Sequence, residues 1–504
     1  MVNVSALERA AKKIAGFLRH CKWSISASLT AGLLAYMYVF TNKLLNLDEI
    51  AGLFTKGSTI SSGRWALWLS SLVFPDASMP WINGILSLLM LSLAACLIIS
   101  LFEIRSVAVQ MLLSALFVVF PSQIVTFSYM FTAPPYALAL LLAVASVYLT
   151  FRGGKLAVAV GCLFLALSLG IYQAYLAMAA ALYVVYLIKL LLDGADCAAV
   201  VKKGFASLAA LLFGLLFYAL INKLVMTLSG TAYNDYAGAS FQTDLPSILS
   251  GLRVAYTAFL GYFYRGYYYL VPTDFSKLLH ILCLVVTGAV LLLHVLSLFK
   301  EGQKGRAGLI LAMLVLLPLA VNCLYVASAQ RHTLMLHSFT AVYVLAALAL
   351  EKLFTGRTLK LRGLVSISLA LILCCNILFA NKLYLKMKLE YENAYSFYNG
   401  LVTRIKACPG FDGESMVVIS GDAENQRYSN EEINTSDIVG LMEGLINIYS
   451  RNDFMTYYTG FCPPPTDWAA WEEAGASKVL ETMPEYPADG SVQKAGDYIL
   501  VKLG

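Results

Sequence analysis

The chain is 504 residues long, 59% hydrophobic and only 13% charged, with 36 Lys and Arg against 30 Asp and Glu. A soluble domain carries about 25% charged residues, so this composition, with a mean hydropathy of +0.72, excludes a soluble enzyme and reads as an integral membrane protein with many spans. The net charge of +6 is no sign of a nucleic-acid partner, because more than half of the acidic residues follow Tyr384 while most of the basic ones precede it.

A span needs about 20 apolar residues, and about eleven such stretches are present. They lie near 24–42, 81–102, 107–124, 135–151, 156–171, 174–192, 204–225, 277–299, 308–326, 335–351 and 364–381. The first is long enough to cross, and the basic segment before it reads as a cytoplasmic start, not a cleaved signal peptide. Lys and Arg cluster before the first span (Arg9, Lys12, Lys13, Arg19, Lys22). They cluster again at Arg152/Lys155, Lys202/Lys203, Lys300/Lys304/Arg306 and Lys352/Arg357/Lys360/Arg362. With eleven spans every cluster falls on one side, which the positive-inside rule makes the cytoplasm. The N-terminus is then inside, the C-terminus outside, and the protein is a multi-pass component of the cell (inner or plasma) membrane.

The outer side receives the loop 43–80, with Asp48-Glu49, Gly63-Arg64-Trp65 and a short interfacial helix at 65–69. It also receives 121–135, the tight turn Gly170-Ile171-Tyr172-Gln173, and the loop 226–276. That loop holds an interfacial helix near 245–264, Arg265 and a tyrosine cluster (Tyr262, Tyr264, Tyr267, Tyr268, Tyr269) that reads as an aromatic belt. Gln330-Arg331-His332 caps the ninth span there. The cytoplasmic connections hold no Gly-rich phosphate loop, no His/Cys metal cluster and no nucleotide fingerprint. Residues 1–384 are therefore read as a transmembrane domain. Residues 385–504 are read as a small extracytoplasmic α/β domain: an amphipathic helix over 385–407, a turn at 408–413, a strand at 416–420, a helix at 437–449 and a closing strand at 498–502. Cys408 and Cys462, the two cysteines of this polar part, either pair or stay free.

An Asp-Glu dipeptide in a loop is by itself a common solvated pair. At the mouth of a membrane bundle, Asp48 can act as a general base with Glu49 orienting it or the acceptor, since a carboxylate partly removed from water holds a proton more firmly. The same oxygens can hold a divalent cation, so no cofactor is certain and a divalent cation is the open alternative. Arg64, Arg265 and Arg331 sit at the outer rim, where a guanidinium matches phosphate oxygens bidentately or binds lipid headgroups. Tyr172 and Gln173 either satisfy helix ends or touch substrate, and His332 adjoins Arg331. His280 and His294 read as buried hydrogen-bonders.

These motifs together resemble the bacterial polytopic glucosyltransferases that decorate O-antigen, within the GT-C class: Asp48-Glu49 in the first outer loop, Gly63-Arg64-Trp65 after it, Gly170-Ile171-Tyr172-Gln173 between two spans, and a C-terminal domain ending near Tyr486-Pro487 and Gly496-Asp497-Tyr498. The resemblance implies a polyprenyl-phosphate hexose donor, a cell-surface glycan acceptor and inverting transfer on the extracytoplasmic side. Asp48 and Glu49 match the family's acidic motif, and Arg64, Tyr172 and Gln173 match other family positions. The competing reading is a transporter or flippase of lipid-linked sugars. That would predict internal repeats and charges at mid-membrane, but no clear repeat is present and charged residues avoid the span centres.

Overall fold

The computed structural model describes residues 12, 15–51, 59–70, 72–74, 78–233, 245–265, 274–327, 332–421, 446, 450–462, 464 and 476–503. The chain packs as two compact units, Met1–Asn42 with Lys56–Asn381, and Lys43–Thr55 with Lys382–Gly504.

The first unit is helical. Among the described residues, ten helices are long and apolar enough to cross a membrane: Lys22–Thr41, Pro80–Phe102, Val107–Ser128, Ala133–Arg152, Tyr175–Leu192, Cys197–Ser229, Asp274–Lys300, Lys304–Val321, Thr333–Lys352 and Leu359–Lys406. The remaining expected span, 156–171, is the shorter apolar helix Lys155–Ile171. The expected last span (364–381) and the amphipathic helix after it (385–407) are one continuous helix, Leu359–Lys406, which begins in the first unit and ends in the second.

The third span is broken. Val107–Val118 stops, and Pro121–Ser128 restarts with proline in its first turn. Proline has no N–H to donate back along the helix. The Gln123 N–H turns to the Phe120 carbonyl instead. The carbonyls of Val118 and Val119 therefore lose their helical donors. Tyr36 donates its hydroxyl to Val118 O at 2.8 Å, and Asn376 donates its amide to Val119 O at 2.9 Å. Both side chains are completely buried. Leaving such a carbonyl unpaired at membrane depth is the costly alternative.

Residues 245–265 form the expected helix, but one face is covered by protein. Asn322 donates to Ala255 O at 2.9 Å and Tyr256 donates to Val315 O at 3.0 Å. Tyr262 corrects the aromatic-belt reading: it is 1% exposed and stacks on Phe339 with centroids 4.2 Å apart. Its ring fills a core position next to the Thr333–Phe339 turn and has no access to a bilayer surface. Tyr267, Tyr268 and Tyr269 lie outside the described residues.

At one end of this unit the helix termini are tied by charge. Arg152 and Lys189 both donate to Glu103, at 2.5 and 2.9 Å, while Lys189 and Lys352 both pair with Asp193. Arg306 donates to Gly194 O at 2.9 Å. Arg152, Arg306 and Lys352, which the sequence places on a common side, therefore meet at one end of the bundle.

In the second unit, Met416–Ser420 (β1) and Tyr498–Lys502 (β3) pair in parallel, and Val492–Ala495 (β2) pairs antiparallel on the other edge of β3, giving the order β1-β3-β2. The expected strands at 416–420 and 498–502 are present, and the expected helix at 437–449 lies outside the described residues. Central β3 is buried on both faces: Ile499 and Val501 point to one apolar cluster, Tyr498 and Leu500 to the other. This explains why it reads as a continuous apolar run. Cys408 and Cys462 carry free thiols.

Replacing Asn376 by Leu leaves the Val119 carbonyl without its donor. The expected cost is about 1–3 kcal/mol, read as a lower melting temperature of the detergent-solubilised protein. An unchanged melting temperature would remove the repair role.

Candidate functional site

The Gly63-Arg64-Trp65 loop and the Gly170–Gln173 turn are one structural joint in the first unit. Residues 59–64 form a turn closed by Arg64 N–H to Thr59 O and Gly63 N–H to Ile60 O, both 2.9 Å. Gly63 has φ +74°, a left-handed conformation that favours glycine. A Cβ there would also lie 2.7 Å from the Tyr218 hydroxyl oxygen. That hydroxyl donates to Gly63 O at 3.1 Å. Gln173 donates its amide to Ser62 O at 3.0 Å and to the Tyr218 oxygen at 3.2 Å. Trp65, at the start of the six-residue helix Trp65–Ser70, is buried against Gly170, where a Cβ would come within 2.6 Å of the indole.

This joint fixes Arg64. Its guanidinium carbon lies 5.5 Å from the centroid of the Tyr172 ring, and Nη1 donates to the Tyr136 hydroxyl at 3.4 Å. Tyr136 and Tyr172 are themselves stacked, 4.4 Å apart and 13° from parallel, and both are buried. A guanidinium over an aromatic face is a stable resting place for a cation. His332 shares the neighbourhood. Burial, and after it the Arg64 charge, hold its imidazole below the ordinary histidine range, so it is neutral at physiological pH. Four of the sequence candidates, Arg64, Tyr172, Gln173 and His332, therefore come together.

The acidic pair belongs to the second unit. Asp48 and Glu49 open the short helix Leu47–Ala51, and Asn46 caps it by accepting the Asp48 N–H at 3.0 Å. Leu45 and Ile50, each 1% exposed, anchor the loop in an apolar core with Tyr398, Phe454, Ile499 and Val501. The two carboxylates are thus held differently. Asp48 is exposed, whereas Glu49 is 2% exposed and paired with the Lys43 ammonium. The desolvation expected for Asp48 is found at Glu49, because the helix turns residue 49 toward the core. Burial, and after it the Glu49 charge, push the Tyr458 phenol above its ordinary range. Among the described residues no group of three or more His, Cys, Asp and Glu is arranged to hold a metal ion.

Arg265 is the last residue of the Leu245–Arg265 helix, and its side chain lies outside the description, as does Arg331. Sequence reasoning missed Tyr136 and Tyr218, neutral residues inside apolar runs. It also missed a buried polar centre in which His337 Nδ1 faces Ser122 Oγ at 3.0 Å and Gln123 Nε2 at 3.3 Å. For Tyr136 the one available signal was its place directly after Pro134-Pro135 in a helix first turn.

A family model described as Glucosyl transferase GtrII matches residues 37–350. That stretch contains the acidic pair, the Arg64 joint and His332. Searches of curated proteins and of solved structures give no match.

Substituting Arg64 by Gln removes one of the two causes that hold His332 neutral, so its titration should move up toward the usual value near ~6.5 while staying below it through burial. Histidine-selective NMR across a pH series checks this, and an unmoved midpoint would separate the two residues.

Proposed function

We propose that this chain, which belongs to the glucosyl transferase GtrII family and is a multi-pass membrane glycosyltransferase, moves a hexose, glucose by its family, from a polyprenyl-phosphate donor to a cell-surface glycan on the extracytoplasmic side, with inversion. The observation that carries this reading is the Arg64 joint. Two separated motifs, Gly63-Arg64-Trp65 and Gly170–Gln173, spend their glycines and amide on setting one guanidinium over a tyrosine pair.

In this mechanism the acceptor hydroxyl attacks the anomeric carbon from the face opposite the phosphate. The bond from that carbon to the phosphate oxygen breaks, and the electron pair leaves with the lipid phosphate. Arg64 neutralises the charge that develops there, with Arg265 and Arg331 as further candidates at the rim. Asp48 takes the proton of the attacking hydroxyl. Glu49, fixed by Lys43, orients the loop. Tyr172, Gln173 and His332 shape the donor side. The active end faces away from the cytoplasm, the ion-paired basic end faces it, and residues 385–504 form an outer domain. Outside the cytoplasm no nucleotide sugar is supplied, which favours a membrane lipid as the donor. The family supports an enzyme over the transporter reading.

In proteoliposomes with labelled polyprenyl-phosphate hexose and acceptor, Asp48→Asn should lower turnover by about 10²–10⁴ and Arg64→Gln by roughly 10², both with normal insertion. Wild-type turnover in Asp48→Asn would remove the base assignment.

A further inference from the structure

We propose that a tyrosine strip on the second unit, Tyr395–Tyr391–Tyr458, is a saccharide-binding surface that delivers the acceptor glycan to the Asp48-Glu49 loop. This assignment rests on the transferase reading above.

The strip is anchored at one end and open at the other. Tyr391 and Tyr395 are one turn apart on the helix ending at Lys406, so they share a face, and their rings are 6.3 Å apart. Tyr391 meets Tyr458 at 5.9 Å. Tyr458 is stacked on Phe454 at 5.0 Å, and Phe454 is completely buried in the core that also holds Leu45 and Ile50. The inner end is therefore fixed to the same core as the acidic loop, and the Glu49 charge reaches the Tyr458 phenol. The outer ring, Tyr395, is 40% exposed.

A pyranose has a C–H face and a rim of hydroxyls. The negative face of a tyrosine ring suits the first, and carboxylates, ammonium groups and phenols suit the second. Both kinds of group are present. The Lys388 ammonium lies 5.2 Å over the Tyr391 ring and 3.3 Å from a Glu392 oxygen. Because Lys388 is matched by that carboxylate, the strip has little net attraction for an anionic lipid headgroup. A few separated rings are also too small an apolar area for a stable protein partner. A neutral, hydroxyl-rich chain fits best.

The test uses the full chain in nanodiscs, with oligosaccharide fragments released from the producing cell's surface polysaccharide as probe. Tyr395→Leu should raise the KM for these fragments about tenfold and leave both kcat at saturation and the donor KM unchanged. Tyr395→Phe, which keeps the ring, should stay within about twofold of wild type. An unchanged acceptor KM in Tyr395→Leu, or a raised donor KM instead, would overturn the assignment. Equilibrium binding of the same fragments separates the two claims. If binding is lost in Tyr395→Leu by a chain that transfers no sugar, the surface stands and the transferase mechanism falls. If Tyr395→Leu and wild type bind equally, the surface is removed whatever the turnover.

Discussion

The side-chain amide of Gln173, shared between the Ser62 carbonyl and the Tyr218 hydroxyl, is the contact on which the arrangement of the first unit's site depends. It closes the 59–64 turn onto the end of the Lys155–Ile171 helix, and the bare Gly170 lets Trp65 lie flat beside it. Each hydrogen bond adds only about 0.5–1.5 kcal/mol net, but an unmet partner in a part-buried joint costs roughly 1–3 kcal/mol. The joint is specified mainly by what it would cost to break it. Arg64 rests as a result over Tyr172 and against Tyr136.

The first unit is also polar along its length. Tyr136 and Arg152 sit near opposite ends of one helix, 152 − 136 = 16 residues apart, or about 24 Å at 1.5 Å per residue. Among the described residues, one end gathers neutral aromatics around the Arg64 guanidinium. The other ties Glu103, Arg152, Lys189, Asp193 and Lys352 into ion pairs. The charges at the second end largely match one another in place, so little net field reaches the first. The ion pairs of the second end hold the helix termini together.

How much of this was legible in the sequence follows from which signals are local. Apolar runs marked the helices because a bilayer demands about 20 of them in a row, and the Tyr498–Lys502 run marked a strand buried on both faces. The break at Pro121 was missed because the run continues apolar through it, and its repair by Tyr36 and Asn376 comes from positions 82 and 257 residues from the carbonyls they serve. The short edge strand Val492–Ala495 carries no β-branched alternation beyond its first residue. Tyr262 looked like a belt residue because its neighbours in sequence are tyrosines, yet Phe339 decides its environment. The acidic pair looked like part of the bundle because it follows the first span, but Leu45 and Ile50 give it to the core of the C-terminal unit. Among the residues gathered around Arg64, those within a motif were legible in the sequence, and the neutral tyrosines inside spans were not.

The central claim is that Arg64 marks the donor phosphate. A structure of the full chain with a non-transferable polyprenyl-phosphonate hexose tests it most directly. The phosphonate should lie within hydrogen-bond reach of the Arg64 guanidinium, beside Tyr172 and Tyr136. A phosphonate bound among Arg152, Lys189 and Lys352 at the other end of the bundle would contradict it.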